Sequence, residues 1–217
     1  MRKVTGILIL IFLWTVLASA NGVKLEPTGA LADAGASQSL KDALEATGHR
    51  VILEDGSHYC DIWLRKALPV GAKNEAPGAI YSDIPPSALI GVIAFAKATT
   101  DFRGQAIKAG AYTLRYAIHP TDGNHLGISP IRDFLLLAPV ADDQDVAAAP
   151  TFAELSKLST KASATAHPAV ISLLTFEGKE DVSIEKGELD RLHFSVKLKT
   201  TGAELPITFI VKGVAEQ

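Results

Sequence analysis

The 217-residue sequence contains one cysteine and one methionine, and only 6% of its residues are aromatic. A single thiol excludes an intrachain disulfide framework and any zinc site built on several thiolates. Charge of either sign is sparse: 21 basic residues stand against 24 acidic ones, a net of −3. That mild acidity argues against a nucleic-acid partner, which needs a basic face to neutralise phosphates. The chain has no G-x-S-x-G nucleophile elbow, no H-E-x-x-H and no glycine-rich phosphate loop. It has no internal repeat of 20–50 residues either.

One apolar run is conspicuous, and it stands at the N-terminus. Met1, Arg2 and Lys3 precede the stretch Ile7 to Leu17, and Ala18-Ser19-Ala20 follows. A basic start, a short apolar stretch and a small-x-small site form the layout of a cleaved secretory signal. The apolar stretch is too short for a membrane anchor, which needs about 20 residues. The expectation is export to the periplasm or the extracellular space, with no membrane span after cleavage. Removing residues 1–20 takes away Arg2 and Lys3, which leaves 19 basic and 24 acidic residues and a net of −5. In an exported chain the lone Cys60 is predicted to be buried and inert, since it lies in an apolar strand-like run.

After the signal, residues 21–36 read as a flexible Gly/Ala/Pro-rich leader, and 37–217 as a single domain. A short helix is predicted from Ser39 to Ala46, with Ser37 or Ser39 as its cap. Strand patterns follow at Val51–Leu53, His58–Leu68, Ala88–Ala96, Ala111–His119, Asp133–Ala138 and Val170–Phe176. In the second run, alternation places His58, Cys60, Ile62 and Leu64 on one face and Tyr59, Asp61, Trp63 and Arg65 on the other. Residues 139–150 read as an acidic surface excursion, and Thr151-x-x-Glu154 as a capping box that opens a second helix to about Lys161. A final hairpin alternates Leu192, Phe194, Val196 and Leu198 against Leu205, Ile207, Phe209 and Val211. Six to nine strands without a βαβ rhythm predict a mostly β fold, an antiparallel β-sandwich with one or two short helices.

Several segments carry a resemblance together: Asp101-Phe-Arg-Gly104, Ile107-x-x-Gly110-x-Tyr112-Thr-Leu-Arg-Tyr116, Asp122-Gly-Asn-His-Leu-Gly127, Arg132-Asp-Phe-Leu-Leu-Leu137 and His167-Pro-Ala-Val170. They resemble a family of bacterial exported β-sandwich proteins of unknown function, across most of the chain after the signal. The resemblance implies a β-sandwich and export. It implies no activity for any residue.

Among residues that can carry chemistry, the loop His119 to His125 is the densest. His119, Asp122 and His125, with Asp133 and His167 as outside contributors, form a candidate set for a divalent metal. The structural alternative makes Asp122-Gly123 a turn and leaves the imidazoles as loop anchors. Arg115, Arg132 and Asp133 are candidate ligand-binding residues, because guanidinium forks suit carboxylate or phosphate. The competing reading is structural pairing, Asp61 with Arg115 or Asp133 with Arg115. Tyr59 and Trp63 on one strand face form a candidate stacking platform for sugars. Ser163, Thr165 and His167 at i, i+2 and i+4 allow a Ser–His dyad on an extended chain. The expected function is a non-catalytic binding or interaction module of the bacterial cell envelope, with a protein or small-molecule partner. The alternative is a metal-dependent enzyme or metal-binding protein centred on the 119–125 loop.

Overall fold

The computed structural model describes residues 22–71, 76–120, 129–176 and 178–215, so the signal segment lies outside the described residues. The chain begins with β1 (Lys24–Thr28), α1 (Gln38–Ala43), β2 (Gly48–Ile52), β3 (His58–Leu64) and β4 (Leu89–Phe95). A two-stranded hairpin follows, β5 (Thr99–Thr100) and β6 (Ala106–Ile107), then β7 (Gly110–Ile118) and β8 (Asp133–Pro139). The remainder is α2 (Phe152–Ser163), β9 (Val170–Leu174), β10 (Val182–Lys186), β11 (Leu192–Leu198) and β12 (Leu205–Lys212). Ten strands form one antiparallel sheet in the order β1-β2-β3-β4-β7-β8-β9-β12-β11-β10. The expected mostly β, antiparallel architecture with two short helices is what the chain adopts.

The two layers of the expected sandwich are the two halves of this one sheet. Its end strands β1 and β10 come into contact, so the sheet nearly closes on itself. Leu68 ties the halves together elsewhere: its N–H donates to Lys199 O and its carbonyl accepts from Thr201 N–H. Inside lies the main core, with Cys60, Ile62, Phe95, Tyr112, Leu114, Leu135 and Leu137 from one half. Ile171, Leu173, Phe194, Val196, Ile207 and Phe209 come from the other.

Two patches on the outer face are covered as well. Leu40 and Leu44 at α1 pack with Trp63, Leu89, Val92 and Val140. Leu155 of α2 packs with Ala117, Phe134, Leu136, Ala138 and Val170. Strands sandwiched in this way are buried on both faces, which is why β4 and β8 read as unbroken apolar runs instead of alternating ones. Close packing of β4 on β3 demands glycine at 91, where a Cβ would stand 2.2 Å from the Trp63 carbonyl oxygen.

Both helices begin as their sequences predict. Ser37 caps α1 by accepting from Leu40 N–H, and Thr151 and Glu154 form a complete capping box on α2. The Asp55-Gly56 turn joins β2 to β3, with Gly56 at φ +80°.

Three expectations are corrected. Among the described residues, 22–36 are not a leader without structure: Lys24–Thr28 pair along β2, and Leu31 and Ala36 are buried under α1. The acidic stretch 139–150 is a surface excursion only in part: most of it is exposed or half-buried, but Val140 and Asp143 are buried and anchor it to the sheet. In β3 the alternation fails at its first residues. Val51 pairs with Cys60 and Ile52 with His58, which leaves Tyr59 as the extra residue of a bulge. Tyr59 therefore packs into the main core against Phe95, with its hydroxyl 2.7 Å from Thr99 Oγ1 and donating to Val211 O. His58 turns instead to Asp61, at 2.9 Å. Trp63 stays on the outer face and donates to Gly29 O, so it shares no platform with Tyr59.

Cys60 is fully buried in the core, and that burial pushes its thiol well above the usual range. Thiol-reactive maleimide is therefore expected to leave the native chain unlabelled for as long as it stays folded. Stoichiometric labelling should appear only in denaturant, with the mass shift read by intact mass spectrometry. Rapid labelling of the native chain would contradict the burial.

Candidate functional site

Strand β7 sends Thr113, Arg115 and Ala117 to the outer face, and Arg115 is buried there. A buried guanidinium needs partners for its charge and for its five N–H donors. Asp143 supplies the charge in a bidentate pair, with Nε to Oδ2 at 2.7 Å and Nη2 to Oδ1 at 2.8 Å. The other three donors reach Ser87 O, Ala148 O and Asp145 O at 2.6–2.9 Å. Thr113 Oγ1 lies 2.6 Å from Asp143 Oδ2 and closes the network. All five donors are spent on the protein, so Arg115 holds structure. Its partner is Asp143, not Asp61 or Asp133.

Those two aspartates have other duties. Asp61 pairs bidentately with Arg50 and also with His58. Burial opposes its ionisation, but the Arg50 bonds and the His58 and Arg50 charges outweigh it and hold the carboxyl below its usual range. Asp133 is wholly buried on the inner side of β8 and accepts from Ile80 N, Tyr81 N and Tyr116 Oη at 2.6–2.9 Å. Burial first, and then the bond to Asp133, push the Tyr116 phenol far up, so it remains a donor to that carboxylate at any physiological pH. The three proposed ligand-binding residues thus diverge. Arg115 points into the 143–148 loop, Asp133 into the core, and Arg132 alone to an open surface.

That surface is a cavity of about 530 Å³ where β7 ends and α2 begins. Ala117, Ile118, His119 and Pro120 form its strand wall, and Pro150, Thr151, Phe152 and Leu155 its helix wall. Pro86, Ser87 and Arg132 complete the rim. Arg115 shapes it indirectly. Its bonds to the carbonyls of Asp145 and Ala148 fold the 143–148 loop onto the sheet, which delivers Pro150 and the α2 cap to this place. Ser87, held at φ +62°, donates N–H to Tyr116 O and Oγ–H to Pro150 O and so ties the same loop from the other side.

His119 is buried and stacks its ring on Phe134, with centroids 3.8 Å apart and planes 11° apart. Phe152 meets the other partner of that stack edge-on and leaves 43% of its own surface exposed. His119 is thus at the N-terminal end of α2. His167 lies beyond the C-terminal end, exposed, with about 18 Å of helix between them. These two imidazoles do not converge on one metal. Asp122 and His125 lie outside the described residues, and among the described residues no three metal-ligating side chains cluster. Nor does a Ser163–His167 dyad form, because Ser163 Oγ–H donates to the His167 carbonyl, 2.6 Å away, and not to its ring.

Two smaller hollows carry less. One of about 280 Å³ is lined by Glu54, Lys186 and Asp190, already ion-paired with each other. Another of about 410 Å³ is lined by charged residues around Gly187. The main cavity includes two sequence candidates, His119 and Arg132. Ser87, Ala117, Phe152 and Leu155 were not anticipated. The one signal that pointed there was the Thr151 capping box, which located the helix start.

Arg115→Met alone should destabilise the chain by about 3–5 kcal/mol, because it strands the Asp143 carboxylate among buried groups. The double variant Arg115→Met/Asp143→Leu should recover most of that loss, since it removes both charges. Urea denaturation of the four chains of the cycle measures it, and additive losses would contradict the pairing. No family model, curated protein or solved structure matches the chain.

Proposed function

We propose that the chain is an exported, non-catalytic binding module of the bacterial cell envelope that holds a small, largely apolar molecule beside the start of α2. One observation carries this reading: the hollow of about 530 Å³ walled by Ala117, Ile118, Pro150, Phe152 and Leu155. Its size falls within the roughly 300–1,000 Å³ of small-molecule sites, and its mix of apolar wall with few polar groups is their usual chemistry. A half-exposed phenylalanine at its edge has no structural need to face water, but it is useful as a lid-side contact for an apolar guest.

The polar side chains around the cavity support binding over catalysis. Ser87 Oγ–H is committed to Pro150 O, Thr151 Oγ1 to the capping box, and Tyr116 Oη–H to Asp133. None of these hydroxyls is paired with an imidazole in the manner of an activated nucleophile. Export rests on the N-terminal signal pattern, and the family resemblance is in keeping with it.

The test uses a neutral apolar probe, octan-1-ol, followed by titration calorimetry and thermal denaturation. Wild-type chain lacking residues 1–20 should bind it at one site and melt at a higher temperature in its presence. Ala117→Leu fills the hollow from its strand wall, and binding should weaken about tenfold or more while the circular dichroism spectrum is unchanged. A wild-type chain that does not bind the probe, or binding indifferent to Ala117→Leu, would overturn the reading.

A further inference from the structure

Resting on the cavity as a small-molecule site, we propose further that its guest is an amphipathic carboxylate, with Arg132 receiving the carboxylate and the helix wall receiving the apolar body. The two arginines of this region differ in what they have left to give. Arg115 spends all five N–H donors on the protein. Arg132 spends three: Nε and Nη2 donate to His119 O, and Nη1 donates to Pro77 O. Among the described residues, one N–H on each terminal nitrogen has no acceptor. Two N–H groups, one on each terminal nitrogen, are the fork that grips both oxygens of a carboxylate.

The charge balance points the same way. All three bonds of Arg132 end on backbone carbonyls, so among the described residues no carboxylate offsets its charge. The adjacent acid, Asp133, is turned into the core and held there by Ile80, Tyr81 and Tyr116. Among the described residues no aspartate or glutamate lines the cavity, and Arg132 is the only lysine or arginine that does. A site whose described lining holds one fixed positive charge, no carboxylate and an apolar wall favours a guest with one negative end and an apolar remainder.

The guanidinium is also held in place before any guest arrives. His119 N–H donates to Arg132 O while Arg132 donates back to His119 O, so backbone and side chain lock each other. Beneath them the His119 ring is pinned by its stack on Phe134. A donor already oriented loses little freedom on binding.

Octanoate and octan-1-ol make a matched pair of probes, equal in chain length and different in charge. Wild-type chain should bind octanoate about tenfold or more tightly than octan-1-ol in titration calorimetry at neutral pH. Arg132→Met should erase that preference, so that octanoate binds this variant no more tightly than octan-1-ol binds the same variant. Arg132→Lys, which keeps the charge and loses the fork, should retain only part of it, and it carries the comparison if Arg132→Met fails to fold by circular dichroism. A wild-type chain that binds both probes equally, or a preference that survives loss of Arg132, overturns the carboxylate assignment and leaves the cavity reading standing. A chain that binds neither probe overturns both.

Discussion

The buried pair between Arg115 and Asp143 is the constraint on which this end of the molecule depends. A guanidinium on the outer face of a central strand cannot be left bare, and the chain answers with a loop that brings one carboxylate and two carbonyls to it. That answer fixes the course of the chain from 143 to 148. Pro150 and Thr151 then emerge at a set point, and α2 begins where its first turn faces Phe134. The capping box sets where α2 begins in the chain, and the pair sets where that start lies on the sheet. Without the pair, the cavity would lose one wall.

Closure of the sheet accounts for much of the rest. A single sheet that rolls until β1 meets β10 has an interior that any of its strands can line, and an exterior that stays wet unless something covers it. Here α1 and α2 cover two separate outer patches, and strands under them become apolar on both faces. Where α2 ends its cover at the top of β7, small residues such as Ala117 leave space instead of packing. The cavity is therefore a property of the outer layer. It is not a void in the barrel core.

How far this was legible in the sequence depends on the range of the physics involved. Strands β7, β11 and β12 and the start of α2 are set by local alternation and by a capping box spanning four residues, and they stand where the pattern places them. Strand β1 (KLEPT) was unreadable because an edge strand with one face exposed needs little apolar content. The bulge at Tyr59 was equally hidden. Alternation in one strand carries no information on an extra residue relative to its partner, and that extra residue exchanged the faces of His58 and Tyr59. An arginine set among strand hydrophobics, such as Arg115, needs a partner, yet Asp143 lies 28 positions away in a loop with no periodicity to place it.

The site shows the same division. His119 and Arg132 stood out as titratable residues beside a loop, whereas Ala117, Phe152 and Leu155 became relevant only through their shared space. What separates Arg115, a structural arginine, from Arg132, a candidate for recognition, is not the neighbours in sequence but the number of donors already satisfied. Arg115 lies within β7 and Arg132 stands just before β8, and each donates to more than one backbone carbonyl. The first faces a loop rich in carbonyls plus one aspartate, a closed set that matches its five donors and its charge. The second faces two carbonyls and an open apolar hollow, which satisfies its geometry and leaves its charge. An unbalanced charge at an apolar surface costs free energy in the empty state, and a guest that neutralises it regains that cost on binding. Function in this chain is therefore sought where a satisfied backbone network ends one partner short, and among the described residues around the main cavity that place is Arg132.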